Sequence, residues 1–360
     1  MNAPQGSSPV TKIRRRPPTM KDVADAAGVA QSTVSRILND AQALIPVSDA
    51  TRQRVRAVAA ELGYQPHPFA RSLRGAPSML LGAVVRDITD PFFAGAIEAL
   101  SLEAKAHGYS VVLGHAQATA DEALALTAVL EARQCDAIVL LGDLRDEPRL
   151  VDDLRSSPVR VVALWHGGQQ HGHGFPTVSV DNRFGIRAML DHLTKLGHRR
   201  IAFVGGESLG DIREREDAYV EYLAEACIGA RDDFVRHVPN NIAGGERALS
   251  ELVSLEPRPT AIMAATDILA VGLIHGAYEL GIAVPDDLSI VGFDDIPIAA
   301  GTVPSLTTVK MPTAQIVTAG VELAVGENAQ IATEAPELVF EPELVVRRST
   351  AAAARGQDHD

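Results

Sequence analysis

Apolar residues fall in two textures along the chain, and the change comes near residue 77. Between residues 19 and 64 they recur at helical spacing in three short stretches: Val23, Ala24 and Ala27; Val34, Ile37 and Leu38; Val55, Val58 and Leu62. Intervals of three and four align side chains on one side of a helix. Thr19 with Asp22 three residues on predicts a capped helix start, and Gly28 and Gly63 predict stops. Helices are expected over 19–27, about 31–39 and about 48–62. The first two, joined across 28–30, form a helix-turn-helix. On the second helix Gln31, Ser32, Ser35 and Arg36 fall outside the apolar face.

From residue 79 the texture becomes apolar runs of four to six residues, at 80–85, 110–113, 137–141, 159–164, 201–204, 261–264 and 289–291. Such runs predict parallel strands buried on both faces. Amphipathic stretches at 92–107, 120–132, 182–196, 212–226 and 268–280 predict helices between them, so this part is α/β. The strands are too many for one compact sheet, and the pattern restarts after 178–182. Two doubly wound parallel-sheet lobes are therefore expected, with a ligand cleft beyond their carboxyl strand ends.

Charge sharpens this division. The 360 residues carry a formal net charge of -13, yet residues 1–75 carry +6 and the remainder -19. A basic head on an acidic body suits a nucleic-acid partner reached through the head alone. Residues 1–18, rich in Pro and basic side chains, read as a disordered arm. Cys135 and Cys227 are too few for a disulfide framework and lack metal-type spacing, which fits a reducing cytoplasm. Neither an export signal nor a membrane-spanning run of about 18 apolar residues is recognisable.

The run MKDVADAAGVAQSTVSRILN at residues 20–39 closely resembles the DNA-binding head of the lac repressor family of bacterial transcription regulators. The likeness continues through LGYQP at 62–66 and ARSLR at 70–74, and in the body through DITDPFF at 87–93, VDNR at 180–183, LGHRRI at 196–201, VPDD at 284–287, IVGFDDIP at 290–297, LTTV at 306–309 and PELVVRRST at 342–350. It implies a periplasmic-binding-protein-type body crossed three times, near 178–182, 305–311 and 336–342. The implied division is a head at 19–65, a hinge helix and linker at 66–76, a body at 77–350 and a tail at 351–360. Within the body, an N-lobe would take about 77–178 plus 309–336, and a C-lobe about 180–306 plus 338–350.

The resemblance implies that Gln31, Ser32 and Arg36 read base edges in the major groove, Arg36 suiting guanine and Gln31 adenine. Thr19, Thr33, Ser35, Asn39 and Thr51 would hold phosphates. Leu73, with Arg71 and Arg74 beside it, would enter the minor groove as an apolar wedge. One small helix-turn-helix reads too little sequence alone, so a homodimer on pseudo-palindromic double-stranded operator DNA is implied. For a small-molecule effector, most naturally a sugar or sugar derivative, the implied contacts are Asp90, Phe92, Trp165, His166, Arg215, Asp267 and Asp294. Carboxylates accept paired hydroxyls, arginine donates a fork, and aromatic rings cover apolar sugar faces. The chain departs from the family with Ala30 for a usual Ser, Trp165-His166 for a common Asp-Arg pair, and Thr266 for a common Asn.

Two rival readings find less support. An enzyme would need a phosphate loop or catalytic constellation, and neither a Gly-x-Gly-x-x-Gly after a strand nor a Walker loop is recognisable. A metal sensor would rest on His166, His171 and His173, whose spacing matches no standard zinc pattern. The sequence therefore predicts a cytoplasmic, effector-controlled repressor with no cofactor and no metal.

Overall fold

The computed structural model describes residues 16, 18–38, 47–64, 77–117, 119–143, 148–165, 174–206, 210–229, 231–326 and 335–353. It divides into a head, up to Ser78, and a body, from Met79 onward. In the head, α1 is Met20–Ala27, α2 Gln31–Leu38 and α3 Asp49–Leu62. Thr19 and Asp22 close a reciprocal capping box on α1, Ser48 caps α3, and Gly28 (φ 62°) and Gly63 (φ 66°) end α1 and α3 as left-handed residues.

Val23, Ala24, Ala27, Val34, Ile37, Val55 and Ala59 make the head's core. Two expectations shift here. Ser35, expected outside, is buried, because α2 packs against both α1 and α3 and its covered arc widens past the apolar stripe. Leu62, expected inside, is 40% exposed. At about 1.5 Å per residue, α3 spans roughly 21 Å against roughly 12 Å for α1 or α2, so among the described residues its far end outruns both partner helices.

The body has two six-stranded sheets. The N-lobe sheet runs β11-β5-β4-β3-β1-β2, all parallel, from β1 (Leu80–Val85), β2 (Ser110–His115), β3 (Ala137–Leu141), β4 (Arg160–Leu164), β5 (Thr177–Val180) and β11 (Glu337–Phe340). The C-lobe sheet runs β12-β10-β9-β8-β6-β7, from β6 (Ile201–Gly205), β7 (Val235–His237), β8 (Ala261–Ala264), β9 (Ser289–Asp294), β10 (Thr307–Lys310) and β12 (Glu343–Val345). Among the described residues only the β10–β12 pair is antiparallel.

The helices are α4 (Pro91–Ala106), α5 (Ala120–Ala132), α6 (Pro148–Arg155), α7 (Asn182–Lys195), α8 (Gly210–Glu225), α9 (Ile242–Val253), α10 (Asp267–Glu279) and α11 (Thr313–Val325). The chain passes between lobes after β5, after β10 and after β11. Pairing of β11 with β5 keeps residues 337–340 in the N-lobe, and β10 lies wholly in the C-lobe sheet. Both borders differ by a few residues from those expected, because a crossover strand belongs to the sheet that pairs it. One apolar cluster is shared by both lobes, from Phe93 and Trp165 to Phe203 and Phe293.

Candidate DNA interface and ligand cleft

On α2, Gln31 and Ser32 are exposed, and Thr33 and Arg36 half-buried. Arg36 Nε donates to the Ser32 carbonyl at 3.1 Å, one turn back, which holds the guanidinium along its own helix. Thr51 is half-buried, its hydroxyl 2.9 Å from that of Ser48, while Thr19 is engaged in its capping box. Ser35, one turn on from Gln31, is buried. Asn39, Arg71, Leu73 and Arg74 lie outside the described residues.

In the body, carboxyl strand ends of both lobes meet over a shared cleft. The N-lobe wall carries Arg86 after β1, Asp90 and Phe92 at the start of α4, Gly142 after β3 and Trp165 after β4. The C-lobe wall carries Asp211 and Arg215 from α8, Thr266 before α10 and Asp294 at the end of β9. Trp165 (φ 54°) and Asp294 (φ 118°), on opposite walls, hold backbone conformations that cost L-residues about 1–3 kcal/mol each. Strain of that kind concentrates where a fold positions ligand groups.

Charge is dense and buried here. Arg86 is 3.5 Å from Asp90 in its own lobe and 3.4 Å from Asp211 across the cleft. Arg215 is 3.6 Å from Asp294 and stacks 3.8 Å from the Phe293 ring centre, while donating to Asn182 Oδ1 at 2.9 Å and to the Ala265 carbonyl at 2.6 Å. Asp90 accepts from the Phe92 amide at 3.0 Å and from Asn240 Nδ2 at 3.2 Å, and Thr266 donates to Asn240 at 2.6 Å. Asp143 accepts from the Gly210 amide at 2.5 Å, another tie between lobes. Burial pushes the Asp90 carboxyl above its ordinary range despite the Phe92 amide and Arg86. Burial pushes Asp294 well above it, with Arg215 only partly offsetting.

Of the seven expected effector contacts, Asp90, Phe92, Trp165, Arg215 and Asp294 line this one cleft. Asp267 does not line it. Its carboxylate accepts from the Thr308 hydroxyl at 2.5 Å and the Ile296 amide at 2.9 Å, and burial raises its pKa to about 7. To reach β10 it passes over Gly292 on β9, where a Cβ would stand 2.2 Å from Oδ1. His166 lies outside the described residues. Sequence reasoning missed Arg86 and Asp211, and singled out Thr266 only as a departure from the family pattern. Two signals were present: Arg86 immediately follows a buried strand, and Asp211 stands four residues before Arg215, one turn away on the same helix.

Comparison with known proteins agrees over nearly the whole chain. Residues 19–67 match the family of bacterial regulatory proteins of the lacI family, and residues 190–350 match a periplasmic binding protein-like domain. The HTH-type transcriptional repressor CytR of Escherichia coli (strain K12) is 31% identical over 335 residues, covering 93% of this chain and 96% of the relative. The structure of the lac repressor dimer bound to operator and the anti-inducer ONPF superposes with a TM-score of 0.84 at 27% identity, covering 94% and 100% of the two chains. The complex of the transcriptional regulator CelR with cellobiose gives a TM-score of 0.68 at 29% identity, over 92% and 99%. No described helix is long and apolar enough to cross a membrane. With a capped helix-turn-helix in front and a two-lobed binding body behind, the chain belongs to the lacI family of bacterial regulatory proteins: a cytoplasmic, DNA-binding transcription regulator with an effector-binding body, not an enzyme.

Proposed function

We propose that the protein is a repressor that binds a pseudo-palindromic operator as a homodimer, with DNA affinity set by a sugar or sugar derivative bound between the body's lobes. The observation that carries the reading is the shared cleft. Asp90, Phe92 and Trp165 face it from one lobe, Arg215 and Asp294 from the other. A ligand touching both walls has different affinity for different lobe arrangements, and only such a difference shifts a conformational equilibrium. The relative solved with cellobiose supports a sugar, and the relative solved as an operator-bound dimer supports the dimer. Leu102, Leu113 and Val129 are exposed on α4, on the edge strand β2 and on α5, apolar area that suits a second copy. Gln31, Ser32 and Arg36 would read bases, with Thr19, Thr33, Thr51 and Asn39 on phosphates and Leu73, Arg71 and Arg74 in the minor groove.

Duplexes selected from a random pool with the full-length protein supply the DNA. Its affinity is then measured by fluorescence anisotropy, at fixed salt, with each sugar or sugar derivative that raises the protein's melting temperature. At least one such compound is expected to change DNA affinity by about 5- to 150-fold, and Arg215→Ala to remove the effect. If every stabilising compound leaves DNA affinity unchanged, the effector reading fails.

A further inference from the structure

Trp165 is 4% exposed, lines the cleft, and holds its Nε1–H without a hydrogen-bond partner. An indole N–H only donates, and a buried donor left unpaired costs about 1–3 kcal/mol. Phe92 packs edge-on against the indole at 5.2 Å between ring centres, so the ring is held in place from within its own lobe. Two strands away in the same sheet stands Arg86, also a donor only, with its side chain 6% exposed. Both of its carboxylate partners are 3.4–3.5 Å away, against about 2.7–2.9 Å for a well-made charge-assisted bond. Asp90 already accepts from the Phe92 amide at Oδ1 and from Asn240 Nδ2 at Oδ2. Between Arg86 and Trp165 the sheet presents Gly142, without a side chain.

Beside the Asp90 carboxylate the N-lobe wall thus presents under-used donors, whereas the C-lobe wall presents the carboxylates of Asp211 and Asp294 and the guanidinium of Arg215, which already donates to Asn182 Oδ1 and the Ala265 carbonyl. Arg86 and Trp165 start from strands about 10 Å apart, at roughly 4.8 Å per strand, a span that a single small molecule bridges. From this polarity we infer that the effector is a monosaccharide acid, its carboxylate on Arg86, an oxygen acceptor at Trp165 Nε1, and its hydroxyls toward Asp211 and Asp294. This rests on the cleft being the effector site. Three carboxylates line the same space, and burial raises the pKa of two of them, Asp90 and Asp294, above the ordinary carboxylate range.

The test is calorimetry on the full-length protein with paired probes: hexuronic and aldonic acids, each beside its neutral aldose or alditol. An acid is expected to bind at least tenfold tighter than its neutral counterpart. Arg86→Met should remove that preference, and Trp165→Phe, which keeps an aromatic ring but loses the donor, should weaken the acid roughly ten- to a hundredfold. Arg86→Lys, retaining the charge without the fork, should keep part of the preference and shows whether a variant's loss is merely misfolding. Binding confined to neutral sugars, or acid binding indifferent to Arg86→Met, overturns the acid assignment while leaving the cleft as effector site. Absence of binding by either series overturns both.

Discussion

Ile37 is the largest fully buried side chain of the head, 1% exposed, in a core otherwise built from Val and Ala. Ile37→Ala removes three buried carbons. At about 0.8 kcal/mol per methylene the transfer loss is about 2.4 kcal/mol, and the cavity left behind brings it into the range of about 2–5 kcal/mol. A bundle of this size has about 3–5 kcal/mol to lose. The substitution should therefore leave the head largely unfolded while the body, with three apolar clusters of its own, stays intact. Ile290→Ala on β9, the same deletion at a 0% exposed site, is the control. Hydrogen-exchange mass spectrometry on the full chain separates the outcomes: in Ile37→Ala, peptides from residues 20–64 lose protection and those from β1 to β12 keep it. Head peptides whose opening free energy drops by less than about 1 kcal/mol would refute the reasoning, since the head would then draw its stability from something besides this core.

Two further outcomes follow from single side chains. Arg36→Ala should relax preference at one base pair of each half-site in a binding-site selection, at a cost of about 1–3 kcal/mol on the preferred sequence; an equal loss on all sequences would make Arg36 a phosphate contact instead. Asp267 links stability to pH: its folded carboxyl holds a proton up to about pH 7, whereas an unfolded one releases it near 3.9. The folded state thus binds more protons, so stability should fall as pH rises from about 4 to about 7, by at most about 4 kcal/mol from this group. Urea melts of wild type and Asp267→Asn at pH 5 and pH 8 check this, and a difference between the two proteins that stays constant with pH refutes it.

Legibility followed how far each feature depends on local pattern. The head's caps at Thr19, Gly28 and Gly63 are set by backbone chemistry within one turn, and the sequence shows them directly. Strands β1, β3, β6 and β8 are covered on both faces, so they read as unbroken apolar runs. By contrast β7 and β12 are three residues long at sheet edges, and β11 is largely exposed, so the pairing that creates them leaves no periodic trace. Helices α6, α9 and α11 were not singled out either. In the cleft, Asp267 and Asp294 look alike in sequence, each an Asp at a strand end. What separates them is Gly292, which lets Asp267 lean across β9 to Thr308 while Asp294 faces the opposite lobe. Arg86 joins the site only because α8 of the other lobe brings Asp211 to it, a contact between residues 125 apart in sequence.

Among the described residues three polar ties cross the cleft: Arg86 to Asp211, Asp90 to Asn240, and Asp143 to the Gly210 amide. They put a threshold on control. A ligand shifts the balance of lobe arrangements only by its differential affinity for them, however tightly it binds. One that fits beside an unbroken Arg86–Asp211 pair gains the same contacts whether or not the pair holds, so it occupies the cleft without switching DNA binding. One that takes Arg86 for itself must separate the guanidinium from Asp211, leaving a carboxylate 15% exposed to be satisfied by ligand hydroxyls or by movement of α8. Binding and switching are then separable by a single ion pair, that of Arg86 with Asp211.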